Sequence, residues 1–414
     1  MENYLIIADD FTGANDAGVQ LRRRGIPVSV VFSFALITGE DSCVLDTESR
    51  GIPAEAARRK VEAEVKNIDF GKFAHVIKKI DSTLRGNVGP ETKALDNKFR
   101  AELVIFAPAL PDLGRITVNR IQYLNRKPLM QTELIQDPKT PVKEDNIQKL
   151  LAVSFLDENV FHIGIDSIRN GKINFEGSRI FTCDAEKNVD LQKIISAALA
   201  TKKRTLWVGT AAMVDNLLSV KRAIPPALAM VASLSSVTRG QVHYAEKQGV
   251  SLVKTALYDI LEQNMCIEDI AVKAVSFLHE GRDTIVLSSS AYSVGEYEKA
   301  ESAAKRMGFS REQMSAFAEK TMGCLSRLIL KKARISGLFL AGGDTAMAFF
   351  EKAGAKGSSI VTEIALGIPL MRLRGGVHEG LKVVTKAGAF GKEDAIFYAL
   401  HKLREVDTLN KELK

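Results

Sequence analysis

With 414 residues, 46% of them hydrophobic and 26% charged, the chain has a globular composition and more length than one ordinary domain uses, which excludes disorder and predicts two domains. The net charge is +7, but basic residues alternate with acidic ones and the tight cluster Arg22-Arg23-Arg24 falls at a helix end, where cations suit the dipole, so nucleic acid is not an expected partner. No apolar run reaches the ~18 residues of a membrane span, no signal peptide is read, and the four scattered cysteines form no CxxC pair; no membrane partner, no protein-held metal and a cytoplasmic location are expected.

The first apolar run, Tyr4-Leu5-Ile6-Ile7, leads through Ala8-Asp9-Asp10-Phe11-Thr12-Gly13 into an amphipathic stretch, predicting strand 4–8, a polar turn and helix 15–24. Adjacent carboxylates at the end of a buried strand are costly unless paired, and ligands of open α/β sheets sit outside the carboxyl ends of the strands. Helix capping by Asp10 or Thr12 explains one acid, but not Asp9, Asp10 and Asp16 together.

Further strands are predicted at 28–32, 42–45, 75–80, 103–107, 179–183 and 205–208, with helices at 54–66, 90–100, 190–199 and 211–218. After strand 42–45, Arg50 is placed either to reach a substrate carboxylate or to form a surface ion pair. After strand 75–80 comes Asp81-Ser82-Thr83-Leu84-Arg85-Gly86-Asn87, a set suited to a polyhydroxy acid: arginine pairs a carboxylate, while aspartate and serine bind hydroxyls. An Asx turn explains Asp81-Ser82-Thr83 but leaves Arg85 without a reason. The polar, proline-rich stretch 108–146 reads as an ordered excursion, either a lid or an oligomer contact.

Beyond a linker at 223–227, a second series predicts strands 228–232, 251–254, 284–288, 337–341, 369–373 and 382–385 and helices 239–247, 267–279, 293–305, 311–334, 345–354 and 393–403. Gly342-Gly343-Asp344-Thr345 and the turn around Gly388 each follow a strand; backbone N–H groups there can cradle phosphate, and Lys386 adds charge. Ser233 and Ser235 lie in a third such turn, with hydroxyls for phosphate or ribose. The predicted fold class is α/β in two domains, each a mostly parallel sheet flanked by helices with a cleft between them, over residues 1–222 and 228–414. Phosphate-loop, dinucleotide, zincin and nucleophile-elbow motifs are absent.

The runs Ala8–Asp16, Lys79 with Asp81–Asn87, Pro108–Thr117, Gly342–Ala346 and Lys386–Gly391 resemble the ordered signatures of the four-carbon acid sugar kinases, formerly a domain of unknown function. The segment from Gly13 to Leu21 looks most like the branch acting on D-threonate; D-erythronate and 3-oxo-tetronate branches are the alternatives, and a non-catalytic sugar-acid sensor or a dehydrogenase the rivals from other classes. The resemblance implies ATP- and Mg²⁺-dependent phosphorylation of the terminal (4-) hydroxyl, with the acid on the first domain, ATP on the second, and homodimerisation left open. It carries over Asp9, Arg50, Asp81, Ser82, Thr83, Leu84 and Arg85 as substrate contacts and Gly342, Gly343, Asp344, Thr345 and Gly388 as nucleotide contacts, with Ser233 and Ser235 of the third turn as the further nucleotide-binding candidates. Arg50 or Arg85 would anchor the carboxylate, and Asp10 or Asp81 would accept the hydroxyl proton. One departure stands out. Where the family often has G-S-C-S before P-V-T, this chain has Ala232-Ser233-Leu234-Ser235 and Ser236-Val237-Thr238, which leaves the nucleotide-contacting serine open.

Overall fold

The computed structural model describes residues 2–406 and divides into two compact units. The first runs to Ala223 and also takes Val406, whose N–H donates to Arg23 O; the second is Ile224–Glu405.

In the first unit the strands are β1 (Tyr4–Ala8), β2 (Val28–Val31), β3 (Ser42–Asp46), β4 (His75–Lys79), β5 (Leu103–Ala107), β6 (Arg115–Val118), β7 (Ile121–Leu124), β8 (Lys127–Pro128), β9 (Val160–Ile163), β10 (Ile180–Cys183) and β11 (Thr205–Gly209). Its helices are α1 (Phe11–Arg23), α2 (Ala54–Val65), α3 (Val88–Phe99), α4 (Ile147–Ala152), α5 (Ile165–Arg169), α6 (Asn188–Ala200) and α7 (Ala211–Lys221). Eight strands form one parallel sheet in the order β2-β3-β1-β4-β11-β5-β10-β9. The central strands are buried on both faces, as parallel sheets require, and this is why they read as short unbroken apolar runs. Successive residues serve opposite cores: Tyr4, Ile6 and Ala8 pack with α1, α6 and α7, and Leu5 and Ile7 with α2, α3 and α4.

The second unit holds β12 (Leu228–Val231), β13 (Ser251–Thr255), β14 (Thr284–Ser288), β15 (Leu338–Ala341), β16 (Gly357–Ala365), β17 (Ile368–Arg374) and β18 (Lys382–Lys386), ordered β13-β14-β12-β15-β18-β17-β16. Its helices are α8 (Ser236–Lys247), α9 (Leu257–Leu261), α10 (Ile267–His279), α11 (Val294–Arg306), α12 (Arg311–Lys332), α13 (Gly343–Ala353) and α14 (Ala395–Arg404). The α10, α12 and α13 helices cover one face of the sheet, and α8 and α14 the other. No described helix is long and apolar enough to cross a membrane.

The predicted fold class is met in both units, with local differences. The first helix starts at Phe11 instead of 15, because Asp10 caps it by accepting from Gly13 N at 3.1 Å. Part of the 108–146 excursion is a three-stranded antiparallel sheet, β6-β7-β8, tied back by mutual backbone bonds between Thr117 and Ala185. Strand β16, absent from the sequence reading, pairs antiparallel with β17 at the sheet edge.

Candidate functional site

Strands β3, β1 and β4 are parallel neighbours, so the turns after Asp46, Ala8 and Lys79 emerge side by side. Arg50 binds across them. Its Nε and Nη2 donate to Asp9 at 2.7 and 2.9 Å, its Nη1 and Nη2 donate to Asp10 at 2.7 and 2.6 Å, and Nη1 lies 3.8 Å from Asp81 Oδ1. The three carboxylates hold the guanidinium charged far beyond its usual range, against the opposing effect of burial. Thr47 N and Oγ1 donate to Ala8 O, and the Ser49 and Arg50 amides both donate to Asp9 O, so the loop that carries Arg50 is locked to the end of β1.

Asp81 is held separately. Burial pushes its carboxyl up, but donors outweigh that and keep it well below the ordinary range. Arg85 donates in two-pronged fashion through Nε and Nη2 at 2.9 and 3.0 Å, Thr83 donates through its hydroxyl and through its amide at 3.2 Å, and the Arg85 amide adds 3.3 Å. Arg85 Nη1 meets Asp137 at 3.5 Å. Ser82 O accepts from Gln122 Nε2 at 3.0 Å, so the small sheet of the excursion braces this loop. Leu84 adopts φ 59° and buries its side chain in the core, leaving only its backbone to face a ligand.

The structure therefore brings Asp9, Asp10, Arg50, Asp81, Ser82, Thr83 and Arg85 together. It also separates roles that sequence left joined: four of Arg50's N–H groups are committed to Asp9 and Asp10, whereas Arg85 keeps Nη1 with a single long contact. Further residues near the cluster, read from sequence only as parts of their motifs, gain definite surroundings. Lys79 is 5% exposed, donates to Ile80 O at 3.1 Å, and burial lowers its pKa against the pull of Asp9. A Cβ on Gly13 would sit 2.5 Å from Asp10 Oδ1 and 2.7 Å from Lys79 Nζ, so only glycine lets α1 approach both groups. Burial also pushes the Asp46 carboxyl up to about 6 while Glu48 N bonds it at 2.9 Å. Adjacent strand residues face opposite ways, which sends Lys78 to the other core, where it pairs with Glu91 at 2.8 Å. Consecutive lysines in a strand that is otherwise buried were the available signal.

In the second unit, β12, β15 and β18 are parallel neighbours and their carboxyl ends bear the three turns. Gly342 caps α13 at φ 111°, a conformation that glycine adopts freely, and its N–H bonds Lys386 O at 3.0 Å. Gly343 has open space where a Cβ would be, and Asp344 is exposed beside it in the first helical turn. Thr345 is buried beneath Gly342. A Cβ on Gly388 would come within 2.9 Å of Ser233 Oγ and 3.4 Å of Ser235 Cβ, so the Gly388 turn and the Ser233–Ser235 turn abut. Lys386 is turned inward: its Nζ donates to Thr238 Oγ1, Ala387 O and Gly388 O at 3.1, 3.1 and 3.0 Å, and burial lowers its pKa to about 8. It braces the Gly388 turn with all three N–H groups; the predicted role of adding charge for phosphate is subordinate to that bracing. The Gly342 and Gly388 turns and the Ser233 and Ser235 hydroxyls thus stand at neighbouring strand ends, and turn amides and hydroxyls of this kind suit phosphate. No cluster of three potential metal ligands occurs among the described residues.

Two family models match the chain, a sugar-binding N-terminal domain over residues 4–217 and a nucleotide-binding C-terminal domain over residues 228–396. The chain is 32% identical to a D-threonate kinase of Salmonella typhimurium, covering 97% of this chain and 98% of that protein. It is 28% identical to a D-erythronate kinase of Heliobacterium modesticaldum over 95% of each. Among solved structures it is similar to a Bordetella bronchiseptica protein described as a domain of unknown function, with bound citrate, in a domain-swapped dimer, at a TM-score of 0.56 and 25% identity over 97% of this chain and 98% of that one. The chain belongs to the four-carbon acid sugar kinase family.

Proposed function

We propose that this protein transfers the γ-phosphoryl group of ATP to the terminal hydroxyl of a four-carbon sugar acid, D-threonate before D-erythronate or 3-oxo-tetronates. The observation that carries the reading is the arginine-bridged acid cluster of the first unit, Asp9–Arg50–Asp10 beside Asp81–Arg85, at the carboxyl ends of β1, β3 and β4. It offers acceptors for hydroxyls together with one underused guanidinium for a carboxylate. The 32% identity to a D-threonate kinase ranks the substrates.

Arg85 binds the substrate carboxylate through Nη1, and Asp9 and Asp81 orient hydroxyls. Asp10 takes the proton of the terminal hydroxyl as its oxygen bonds the γ-phosphorus and the bond to the bridging β–γ oxygen breaks, releasing ADP. Asp10 suits this role better than Asp81, because five donors stabilise the Asp81 anion and make it a poor base. The glycine turns hold the phosphates, with Ser233 and Ser235 beside Gly388. The exposed Asp344 would be the residue placed to hold a nucleotide-borne Mg²⁺ through water, and that ion would supply neutralisation of phosphate charge.

A coupled ADP-release assay over D- and L-threonate, D- and L-erythronate and 3-oxo-tetronates tests the reading. The expected result is the highest kcat/KM with D-threonate. Binding of an acid without ADP release would favour a sensor, and no ADP with any of these acids would refute the kinase reading.

A further inference from the structure

At the other end of β4 from the acid cluster, the first unit holds a cavity of about 260 Å³ that the proposed reaction does not use. It opens at the amino ends of β4 and β11, where His75 and Thr205 begin those strands, between the end of α3 at Phe99 and the end of α6 at Leu199. The five residues of β4 put roughly 13 Å of strand, at ~3.3 Å per residue, between this cavity and the turn that carries Asp81. We propose that the cavity is a further ligand site, for a small aromatic or heteroaromatic acid that lays one flat ring against its walls and sets its acidic group at the Lys203 rim.

Three observations converge. The walls are aromatic: Phe70, Phe73, Phe99 and Trp207 line the cavity, and the Phe70 and Phe99 rings pack edge to face at 5.3 Å. The volume is below the roughly 300–1,000 Å³ of drug-sized ligands and suits a single ring with a short substituent. Second, two wall residues carry buried ring nitrogens without partners. Trp207 is 1% exposed and His75 8%, and neither Trp207 Nε1 nor His75 Nε2 bonds another group among the described residues. An indole N–H only donates, so a ligand that satisfies it brings an acceptor, such as a carboxylate oxygen or a ring nitrogen. Burial keeps His75 neutral, its pKa lowered to about 4, so its ring can donate through one nitrogen and accept through the other. Third is charge. The lining contains two cations, Lys203 and Arg204, and no acid. Arg204 is fixed over the Phe99 ring at 5.6 Å, with Nε donating to Arg100 O at 3.0 Å, whereas the exposed Lys203 ammonium makes no hydrogen bond or ion pair among the described residues. Two acids of neighbouring segments are already engaged, Glu2 with Lys221 at 2.8 Å and Glu102 with the Arg204 backbone N–H at 2.8 Å. A cationic mouth over aromatic walls selects an anion with a flat body, while a four-carbon sugar acid would leave its hydroxyls against phenylalanine faces.

Trp207 is the chain's single tryptophan, so its emission reports on this cavity. Titration of the full-length protein with benzoate and with nicotinate, read by fluorescence and by calorimetry, tests the site. The expected result is a saturable signal with one molecule bound per chain. It should be several-fold weaker with benzamide, which keeps the ring and loses the charge, and with acetate, which keeps the charge and loses the ring. Lys203→Ala removes an exposed side chain and should weaken benzoate roughly three- to fivefold. Ala74→Phe puts a ring at the exposed mouth and should abolish binding, and D-threonate should not displace benzoate. No saturable response by either method up to about 10 mM, tenfold above the millimolar affinity of a weak site, would overturn the inference. A response equally strong with acetate, displacement of benzoate by D-threonate, or unchanged affinity in both Lys203→Ala and a folded Ala74→Phe would overturn it as well.

Discussion

Asp10→Asn separates the two candidate bases. In the structure Asp10 does two things: it caps α1 through Gly13 N at 3.1 Å, and it accepts from Arg50 at 2.6 and 2.7 Å. Asparagine caps about as well as aspartate; its NH₂ sets a donor against one Arg50 N–H, but Arg50 retains its paired bonds to Asp9 at 2.7 and 2.9 Å, and the 23% accessible Asp10 side chain leaves water room to replace the lost bond. Folding stability should therefore change by less than about 1 kcal/mol, and the sugar-acid KM should hold. The amide cannot accept the proton. A positioned general base contributes about 10²–10⁴ in rate, or roughly 2.7–5.4 kcal/mol at 1.36 kcal/mol per decade, and kcat should fall by that factor. Asp81→Asn should behave differently. Replacing one carboxylate oxygen by NH₂ sets a donor against Arg85, frees the guanidinium that anchors the substrate and loosens the loop, so KM rises and stability falls by about 1–3 kcal/mol. Steady-state ADP release with each substrate varied, alongside urea denaturation, reads all four quantities. If Asp10→Asn keeps kcat within tenfold of wild type, or Asp81→Asn loses kcat at constant KM, the assignment of Asp10 is wrong.

Gly388→Ala places a methyl 2.9 Å from Ser233 Oγ and 3.4 Å from Ser235 Cβ, and should raise the ATP KM several-fold with the sugar-acid KM unchanged; an equal rise in both would place the effect outside the cradle. Lys78→Met strands Glu91 in the core, where both partners are at most 1% exposed, and should cost about 3–5 kcal/mol in chemical denaturation, whereas Lys78→Met combined with Glu91→Leu should recover most of it; equal losses in single and double variants would deny the coupling. His75 has its pKa lowered by burial to about 4, so the folded state resists a proton that the unfolded chain takes up below about 6.5. Its contribution is complete above pH 6.5 and is lost as pH falls toward 4, about 2 kcal/mol by pH 5 at 1.36 kcal/mol per unit. His75→Phe should remove that share of the decline between pH 7.5 and 5, and parallel profiles for the two proteins would contradict it.

The strands of both parallel sheets were legible because burial on both faces leaves short β-branched runs, and the polar turns at their ends stood out against them. The hairpins of the excursion were not. Their turns are Asn119-Arg120 at φ 49° and 73° and Asn125-Arg126 at φ 48° and 69°, so left-handed backbone is reached without the glycine that normally marks it. Strand β16 escaped for a different reason: Gly357-Ser358-Ser359-Ile360-Val361-Thr362 lies at an exposed edge, with irregular register after Ile360, and carries no alternation to read. Within the site, residue identities were visible and their pairing was not. Arg50 lies some forty positions from Asp9 and Asp10, and only the register that sets Ala8 beside Asp46 brings it onto them.

That pairing resolves an apparent conflict in charge. The site proposed for an anionic sugar acid contains three carboxylates, and Asp9, Asp10 and Asp81 alone would repel the ligand. Arg50 spans the first two and approaches the third, and Arg85 binds the third, so two guanidiniums offset most of the negative charge before substrate arrives. Desolvation of the acids is then satisfied within the fold, through bonds of 2.6–2.9 Å from Arg50, and the ligand meets a pre-ordered set of acceptors. The remaining exposure is unequal: the Asp9 side chain is 3% accessible, Asp81 10%, Asp10 23% and Arg85 31%. In the proposed mechanism the two most accessible groups do the charged work on the ligand, Arg85 for its carboxylate and Asp10 for its proton, while the buried Arg50 holds both Asp9 and Asp10 in place. Sequence marked the adjacent aspartates as a unit, but burial divides them: the first anchors the arginine, and the second is left near enough to solvent to meet a hydroxyl.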